Sequence, residues 1–244
     1  MRTEGEGAWL SFSPRSSFSP RSPLLALPRL ALLFDLDGTL IDSIGLLVAS
    51  MEHAYAGRDV RPPVDEWIAA IGTPLDAMLR RWARDEDDVQ LLRARYREFQ
   101  FANHDAMTTA YPGVVETVRA LHAQGHALAV VTSKLAVGAR KSLRWIGIEE
   151  CFTAVVGIES TASHKPHPEP VHHALQRLGG IPHAQALFVG DSTHDMHAGR
   201  AAGVVTAAAT WGPFSRESLA TAEPTHWLER FEDVLPVVRA LASR

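Results

Sequence analysis

Residues 34–42 read FDLDGTLID and follow the apolar run LALL at 30–33. Asp35, Asp37 and Asp42 therefore come directly after a stretch fit for a buried strand. A strand interior does not accept ionised carboxylates without partners. Asp, Gly and Thr also favour turns, so one reading is an ordinary strand end. The other is a metal and phosphate site at the carboxyl edge of a parallel sheet, where open α/β folds bind their ligands.

Outward from this stretch, strands and helices alternate. LALLFD (30–35), ALAVVTSK (127–134), TAVVG (153–157), ALFVGD (186–191) and VVTAAAT (204–210) are predicted as strands, the last of them closing the sheet. Between them VVETVRALHAQG (114–125), LAVGARKSLRWIG (135–147), PEPVHHALQRLGG (168–180) and MHAGRAAG (196–203) read as helices, several stopped by glycine. FEDVLPVVRALAS (231–243) reads as a final helix interrupted by Pro236. The alternation predicts an α/β fold built on a doubly wound parallel sheet. Three strands end in polar clusters: Asp35 with Asp37, Thr132 with Ser133, and Asp191. On one sheet edge these clusters can converge.

Residues 45–110 break the pattern. LLVASMEHAYA (46–56), LDAMLRRWA (75–83) and VQLLRARYREF (89–99) are all predicted helical. Leu75, Met78, Leu79 and Trp82 fall at the i, i+3, i+4, i+7 spacing of one buried face. IGTPLD (71–76) reads as a helix start, with Thr73 as N-cap, Pro74 at the first position and Asp76 completing a capping box. An all-helical insert placed directly after the acidic cluster is expected to sit over it as a lid. The expected division is an arm over 1–28, an α/β core from 29–44 and 111–244, and a helical cap over 45–110.

The composition is that of an ordinary globular protein, with 46% apolar and 21% charged residues among 244. A formal net charge of −4 gives no electrostatic case for nucleic acid. Cys151 is the lone cysteine, which excludes an internal disulfide or a cysteine-based metal site and suits a small buried filler. No apolar run approaches the ~18 residues of a membrane span, so a cytoplasmic setting is the expectation. SFSPRS occurs at 11–16 and again at 17–22. Such Ser, Pro and Arg content predicts a disordered arm, and interrupting acids and prolines argue against a secretory signal.

Four stretches resemble, in order, the four motifs of the haloacid dehalogenase-like hydrolase superfamily: DLDGTLIDS (35–43), VVTSK (130–134), HKPHPEP (164–170) and GDSTHDMHAG (190–199). The chain looks most like the phosphoglycolate phosphatase-type branch, which carries a helical cap after the first motif. The resemblance implies a phosphatase in which Asp35 is the nucleophile and Asp37 the general acid, then base. Residues i and i+2 of a strand point the same way, so both carboxylates can face one ligand. Acids this close repel, which favours a proton kept on Asp37. The resemblance also implies Mg²⁺ held by Asp35, Asp191 and the Asp37 carbonyl. Asp195 is either a direct ligand or a residue that orients the others. Oxygen donors of this kind suit that cation. Thr132 would give its hydroxyl to the phosphate, Lys165 would balance charge, and Gly38 and Thr39 would offer backbone N–H groups. Ser133 stands where many relatives have Asn, so only a backbone contact to phosphate is expected there. Thr73 would face the substrate, or serve only to start its helix.

Alternative chemistries fit less well. Dehalogenase relatives lack the second acid of DxD and need no metal, whereas Asp37 and Asp191 are present here. Phosphonoacetaldehyde hydrolase and beta-phosphoglucomutase rely on a cap lysine, but Lys134, Lys141 and Lys165 are the only lysines and none falls within 45–110. A nucleotide-cofactor enzyme would need G-x-G-x-x-G after the first strand. A catalytically idle binding protein would be expected to have lost a motif residue. His194 and His197, three apart, could hold zinc, yet no third ligand stands at suitable spacing. The implied partner is a small phosphorylated metabolite. Phosphoglycolate leads, with pyrophosphate, sugar phosphates and nucleoside monophosphates beside it.

Overall fold

Strands covered on both faces read as continuous apolar runs, and the first strand does so. In β1 (Ala31–Phe34) all four residues are buried. Leu32 and Phe34 pack into one hydrophobic layer, Ala31 and Leu33 into the other. The computed structural model describes residues 29–243; the arm expected over 1–28 lies outside the described residues. After β1 come β2 (Ile41–Asp42), α1 (Ile44–Ala54), α2 (Val64–Ala69), α3 (Leu75–Arg80), α4 (Glu86–Asn103) and β3 (Thr109–Ala110). The chain continues through α5 (Val114–Ala123), β4 (Ala127–Val131), α6 (Ala136–Trp145), β5 (Phe152–Val156) and α7 (Glu169–Arg177). It ends with β6 (Ala186–Gly190), α8 (Thr193–Ala201), β7 (Val205–Ala209), α9 (Arg216–Ala220), β8 (His226–Leu228) and α10 (Val234–Ala242).

The main sheet has six strands in the order β5-β4-β1-β6-β7-β8, every pair parallel. Helices α5, α6 and α10 supply one apolar layer and α7 with α8 the other. This is the doubly wound α/β architecture that the alternation predicts. Helices α1 to α4 bury a separate cluster built on Met51, Tyr55, Trp67, Leu79, Leu92 and Tyr96. Arg58 fixes the loop after α1 to the start of α4 through a two-pronged ion pair with buried Asp88, at 2.8 and 2.5 Å. The two chain passages joining these helices to the sheet are zipped together, because β2 pairs antiparallel with β3. Among the described residues no helix is long and apolar enough to cross a membrane.

Several elements differ from expectation for identifiable reasons. VVTAAAT does not close the sheet; β8 follows it, three residues long and too short to show a period. α8 starts at Thr193, three residues before the expected 196, because Ser192 caps it. Pro236 does not interrupt the last helix. It is the third residue of α10, where a missing N–H removes no intrahelical bond. α3 ends at Arg80, so Trp82 packs on the helical cluster from the turn beyond. α2 and the β2–β3 ribbon are too short for periodicity to reveal. Asp42 belongs to that ribbon and is exposed, apart from the acids it follows in sequence. Cys151 is buried, as a filler should be.

Two helical glycines carry opposite expectations. A Cβ on Gly199 of α8 would come within 2.6 Å of Thr206 Cγ2 on β7, whereas one on Gly45 of α1 would meet nothing within 4 Å. Gly199→Ala should cost about 1–3 kcal/mol by overpacking. Gly45→Ala should add about 0.5–1 kcal/mol through helix propensity. Urea unfolding of both variants checks this, and shifts of the same sign would contradict the packing described.

Candidate active site

The direction of winding reverses between β1 and β6, and ligands of doubly wound folds bind outside such a switch point. Asp35 is the first residue after β1 and Asp191 the first after β6. Their strands are locked in register there, with the Asp35 N–H donating to the Val189 carbonyl at 2.9 Å. Thr132 follows β4 in the same way, and Lys165 reaches in from the loop between β5 and α7. Asp195 lies in the first turn of α8, in a capping box with Ser192. Ser192 Oγ donates to Asp195 Oδ2 at 2.6 Å, and the Ser192 N–H donates to the same oxygen at 3.1 Å.

Oxygens of Asp35, Asp191 and Asp195 lie within 4.8 Å of one another, and all three residues are buried. One ammonium answers two of them. Lys165, only 4% exposed, donates to Asp195 Oδ1 at 2.6 Å, Asp35 Oδ1 at 2.8 Å and the Val131 carbonyl at 3.2 Å. Burial pulls the Lys165 pKa down, but Asp195 and Asp35 outweigh it and hold it above the usual lysine range. Burial pushes the Asp35 carboxyl up; Lys165 opposes this, Asp195 and Asp37 reinforce it, and the result is about 7. Burial likewise raises Asp191 well above the usual range, helped by Asp35 and Asp195.

Asp37 is held by two donors rather than standing free beside Asp35. Lys134 Nζ and Ser43 Oγ both donate to its Oδ1, at 2.6 and 2.5 Å. Thr132 Oγ1 accepts from the Lys134 N–H at 3.1 Å, leaving the hydroxyl proton to be given elsewhere. The N–H groups of Gly38 and Thr39, expected to face a phosphate, are instead taken up within the turn by the carbonyls of Ile41 and Leu36. The turn closes on itself, so neither of these two groups is a free donor. What these residues bring to the site is different. Thr39 Oγ1 donates to Asp191 Oδ1 at 2.7 Å, and Gly38, at φ +90°, sits where a Cβ would collide with the Asp191 carboxylate.

The helical cluster meets this edge at Gly72. Ser133 Oγ donates to the Gly72 carbonyl at 2.5 Å, so Ser133 reaches the helical cluster. The capping box expected at Thr73 and Asp76 does not form. Pro74 takes the N-cap position of α3 and leaves Thr73 one residue too early. Thr73 Oγ1 donates to the Ala70 carbonyl at 2.7 Å, and Asp76 pairs with Arg93 at 2.6 Å. Asp35, Asp37, Thr132 and Ser133 line one wall of a cavity of about 480 Å³, and Gly72, Thr73 and Arg97 line the other. Lys134 also lines it. The motifs alone assign Lys134 no role, although a lysine at the end of VVTSK, one of only three in the chain, is a usable signal.

The donor set fits a divalent cation. Asp191 Oδ2 is buried and has no hydrogen-bond partner, an arrangement that is costly unless a cation answers it. Asp35 and Asp191 present hard oxygens of the kind such ions prefer. Both Asp195 oxygens are engaged by Lys165 and Ser192, which suits it to orienting the others. Histidines do not form a competing centre. The acid trio is the only cluster of metal-ligating side chains among the described residues, and His194 Nδ1 is buried without a partner.

A family model described as haloacid dehalogenase-like hydrolase matches residues 32–209. The chain belongs to that family. It is similar to the pyrophosphatase PpaX of Anoxybacillus flavithermus, with 37% identity over 211 residues covering 85% of this chain and 95% of that one. PpaX of Bacillus pumilus is 36% identical over 212 residues, with the same coverage. Among solved structures, a predicted phosphoglycolate phosphatase from Haemophilus somnus superposes with a TM-score of 0.78 at 29% identity, covering 86% of this chain and 97% of that one. As a haloacid dehalogenase-like hydrolase whose relatives are phosphatases, the chain is an enzyme of the phosphatase kind.

The acid cluster makes stability depend on pH. Asp35 has a folded-state value near 7 against an unfolded value of 3.8. Its contribution is thus fully present below about pH 4 and lost as pH rises through about 7. A bound divalent cation opposes that loss and competes with protons. Added Mg²⁺ should therefore raise Tm more at pH 8 than at pH 5. Asp191→Asn should raise the Tm measured in EDTA at pH 8 and abolish the response to Mg²⁺. Equal Mg²⁺ responses at both pH values in the wild type would contradict this account.

Proposed function

We propose that the chain is a Mg²⁺-dependent phosphatase that works through a phosphorylated Asp35. The observation that carries the reading is the placement of Asp35. It is a buried carboxylate at the switch point, fixed by Lys165, and it faces the cavity beside Asp37. In the first step an Asp35 oxygen attacks phosphorus, forming an acyl phosphate as the bond to the leaving oxygen breaks. Asp37 gives its proton to that oxygen. Lys134 and Ser43 both contact its Oδ1, which leaves Oδ2 to carry the proton. In the second step water attacks phosphorus, Asp37 takes the water proton, and the Asp35–phosphorus bond breaks. Thr132 donates to a phosphoryl oxygen, and Lys165 keeps Asp35 in place while neutralising charge. When bound by Asp35 and Asp191, Mg²⁺ would offset the negative charge that otherwise keeps an anionic substrate away.

Inorganic pyrophosphate is the substrate favoured by the relatives at 36–37% identity over 95% of their length. It stands ahead of phosphoglycolate, the leading choice by resemblance of the motifs. Phosphoglycolate stays as the second reading, supported by the Haemophilus somnus structure. Cys151, buried and unpaired, is compatible with the expected cytoplasmic setting.

A panel of small phosphates assayed with wild type and Asp35→Asn tests the proposal. Wild type should release phosphate from pyrophosphate, and EDTA should abolish turnover. Asp35→Asn should lose at least about 10³-fold in kcat while still unfolding in a single cooperative transition. Substantial turnover by the variant would remove Asp35 from the reaction.

A further inference from the structure

Cations on the cavity wall and just behind it have carboxylate partners, with one exception. Lys165 is paired with Asp35 and Asp195, and Lys134 with Asp37. Arg80 is paired with Glu86 at 2.7 Å. Arg97 also lines the cavity and is half-buried, yet no hydrogen bond or ion pair engages it among the described residues. A guanidinium withdrawn from water without a counter-charge is unfavourable. Its surroundings keep it there nonetheless. One turn back on α4, Arg93 is tied to Asp76 of α3 at 2.6 Å. The adjacent Tyr96 is buried against Trp67, with ring centroids 5.9 Å apart. α4 is thereby fixed, and residues 93, 97 and 100 fall on one face of it. Gln100 lines the cavity beside Arg97 and adds a neutral amide donor.

We infer that Arg97 determines specificity by binding a second anionic group on the substrate, carried by the leaving portion. The inference rests on the phosphatase reading, since it takes the core wall of Asp35, Asp37 and Thr132 as the seat of the transferred phosphoryl group. The helical wall then receives whatever remains. A guanidinium presents a planar fork of donors that matches a phosphate or a carboxylate. A substrate with a charged leaving portion, whether phosphate or carboxylate, bridges the two walls and supplies the missing counter-charge. A phosphomonoester with a neutral leaving group reaches only the core wall. Arg97 adds binding through charge and shape and takes no part in proton transfer.

Arg97→Ala and Arg97→Lys, each with a melting curve, test this. Isothermal titration in Mg²⁺ would use methylenediphosphonate, which is not hydrolysed, against methylphosphonate. Arg97→Ala should bind the diphosphonate about 10- to 100-fold more weakly, the loss expected for a charge-assisted contact, while methylphosphonate binding stays within about twofold. Arg97→Lys should recover part of the loss, because it restores charge without the fork. In kinetics, kcat/KM for pyrophosphate should fall chiefly through KM, and that for phenyl phosphate should hold. Equal losses on both classes of ligand, or no loss on either, would overturn the inference, as would a wild type that binds methylphosphonate no worse than the diphosphonate. A wild type that hydrolyses no phosphate would sink the phosphatase reading, and the titration would still decide the role of Arg97.

Discussion

A buried ammonium shared between two carboxylates is the interaction on which the site depends. Lys165 lies 2.6 Å from Asp195 and 2.8 Å from Asp35, and a third acid, Asp191, is buried close by. Acids packed this closely repel, and taking them out of water adds a further penalty. The fold bears that cost through backbone placement. Parallel pairing sets Asp35 and Asp191 side by side, and the Ser192 cap turns Asp195 toward them. Glycine at 38 and 212 lets the chain come close enough to Asp191 that any side chain there would collide with it. A site so arranged gains more from a divalent cation and an anionic substrate than from any further internal contact.

The same edge governs how the helices α1 to α4 are held. They leave and rejoin the sheet through the β2–β3 ribbon, directly beyond the turn that carries Asp37, Gly38 and Thr39. Trp211 Nε1 donates to the Thr39 carbonyl at 3.1 Å, which braces that turn from the core. Ser133 ties Gly72 down from above. At the return passage, His104 Nε2 lies 2.8 Å from Ser142 Oγ on α6, fixing the end of α4 to the core. The wall that carries Arg97 is thus set against the wall that carries Asp35 by the ribbon, by Ser133 on Gly72 and by His104 on Ser142.

Much of this was legible from spacing alone. FDLDGTLID, the strand end at Thr132, the lysine at 165 and GDSTHD all come together because parallel strands share one carboxyl edge. Once the strands are recognised, their ends must be neighbours. The parts that escaped have physical reasons. β8 and the ribbon strands span two or three residues, below the length at which alternation shows. The capping box at Thr73 failed because Pro74, at ψ 135°, stands outside the helix it was expected to begin. Arg97 carries no sequence signal, since an arginine on a helix reads as a solvated face until the cavity beneath it is seen. Lys134 could have been found, because a lysine one residue past Ser133 follows a strand that already ends at the site.

The central claim is that Asp35 forms a covalent bond to phosphorus. Quenching the enzyme during turnover and reducing it with borohydride converts an aspartyl phosphate to homoserine, which peptide mass spectrometry locates. The account predicts homoserine at position 35, dependent on both substrate and Mg²⁺. Reduction at Asp37, Asp191 or Asp195 instead, or none under conditions of active turnover, would contradict it.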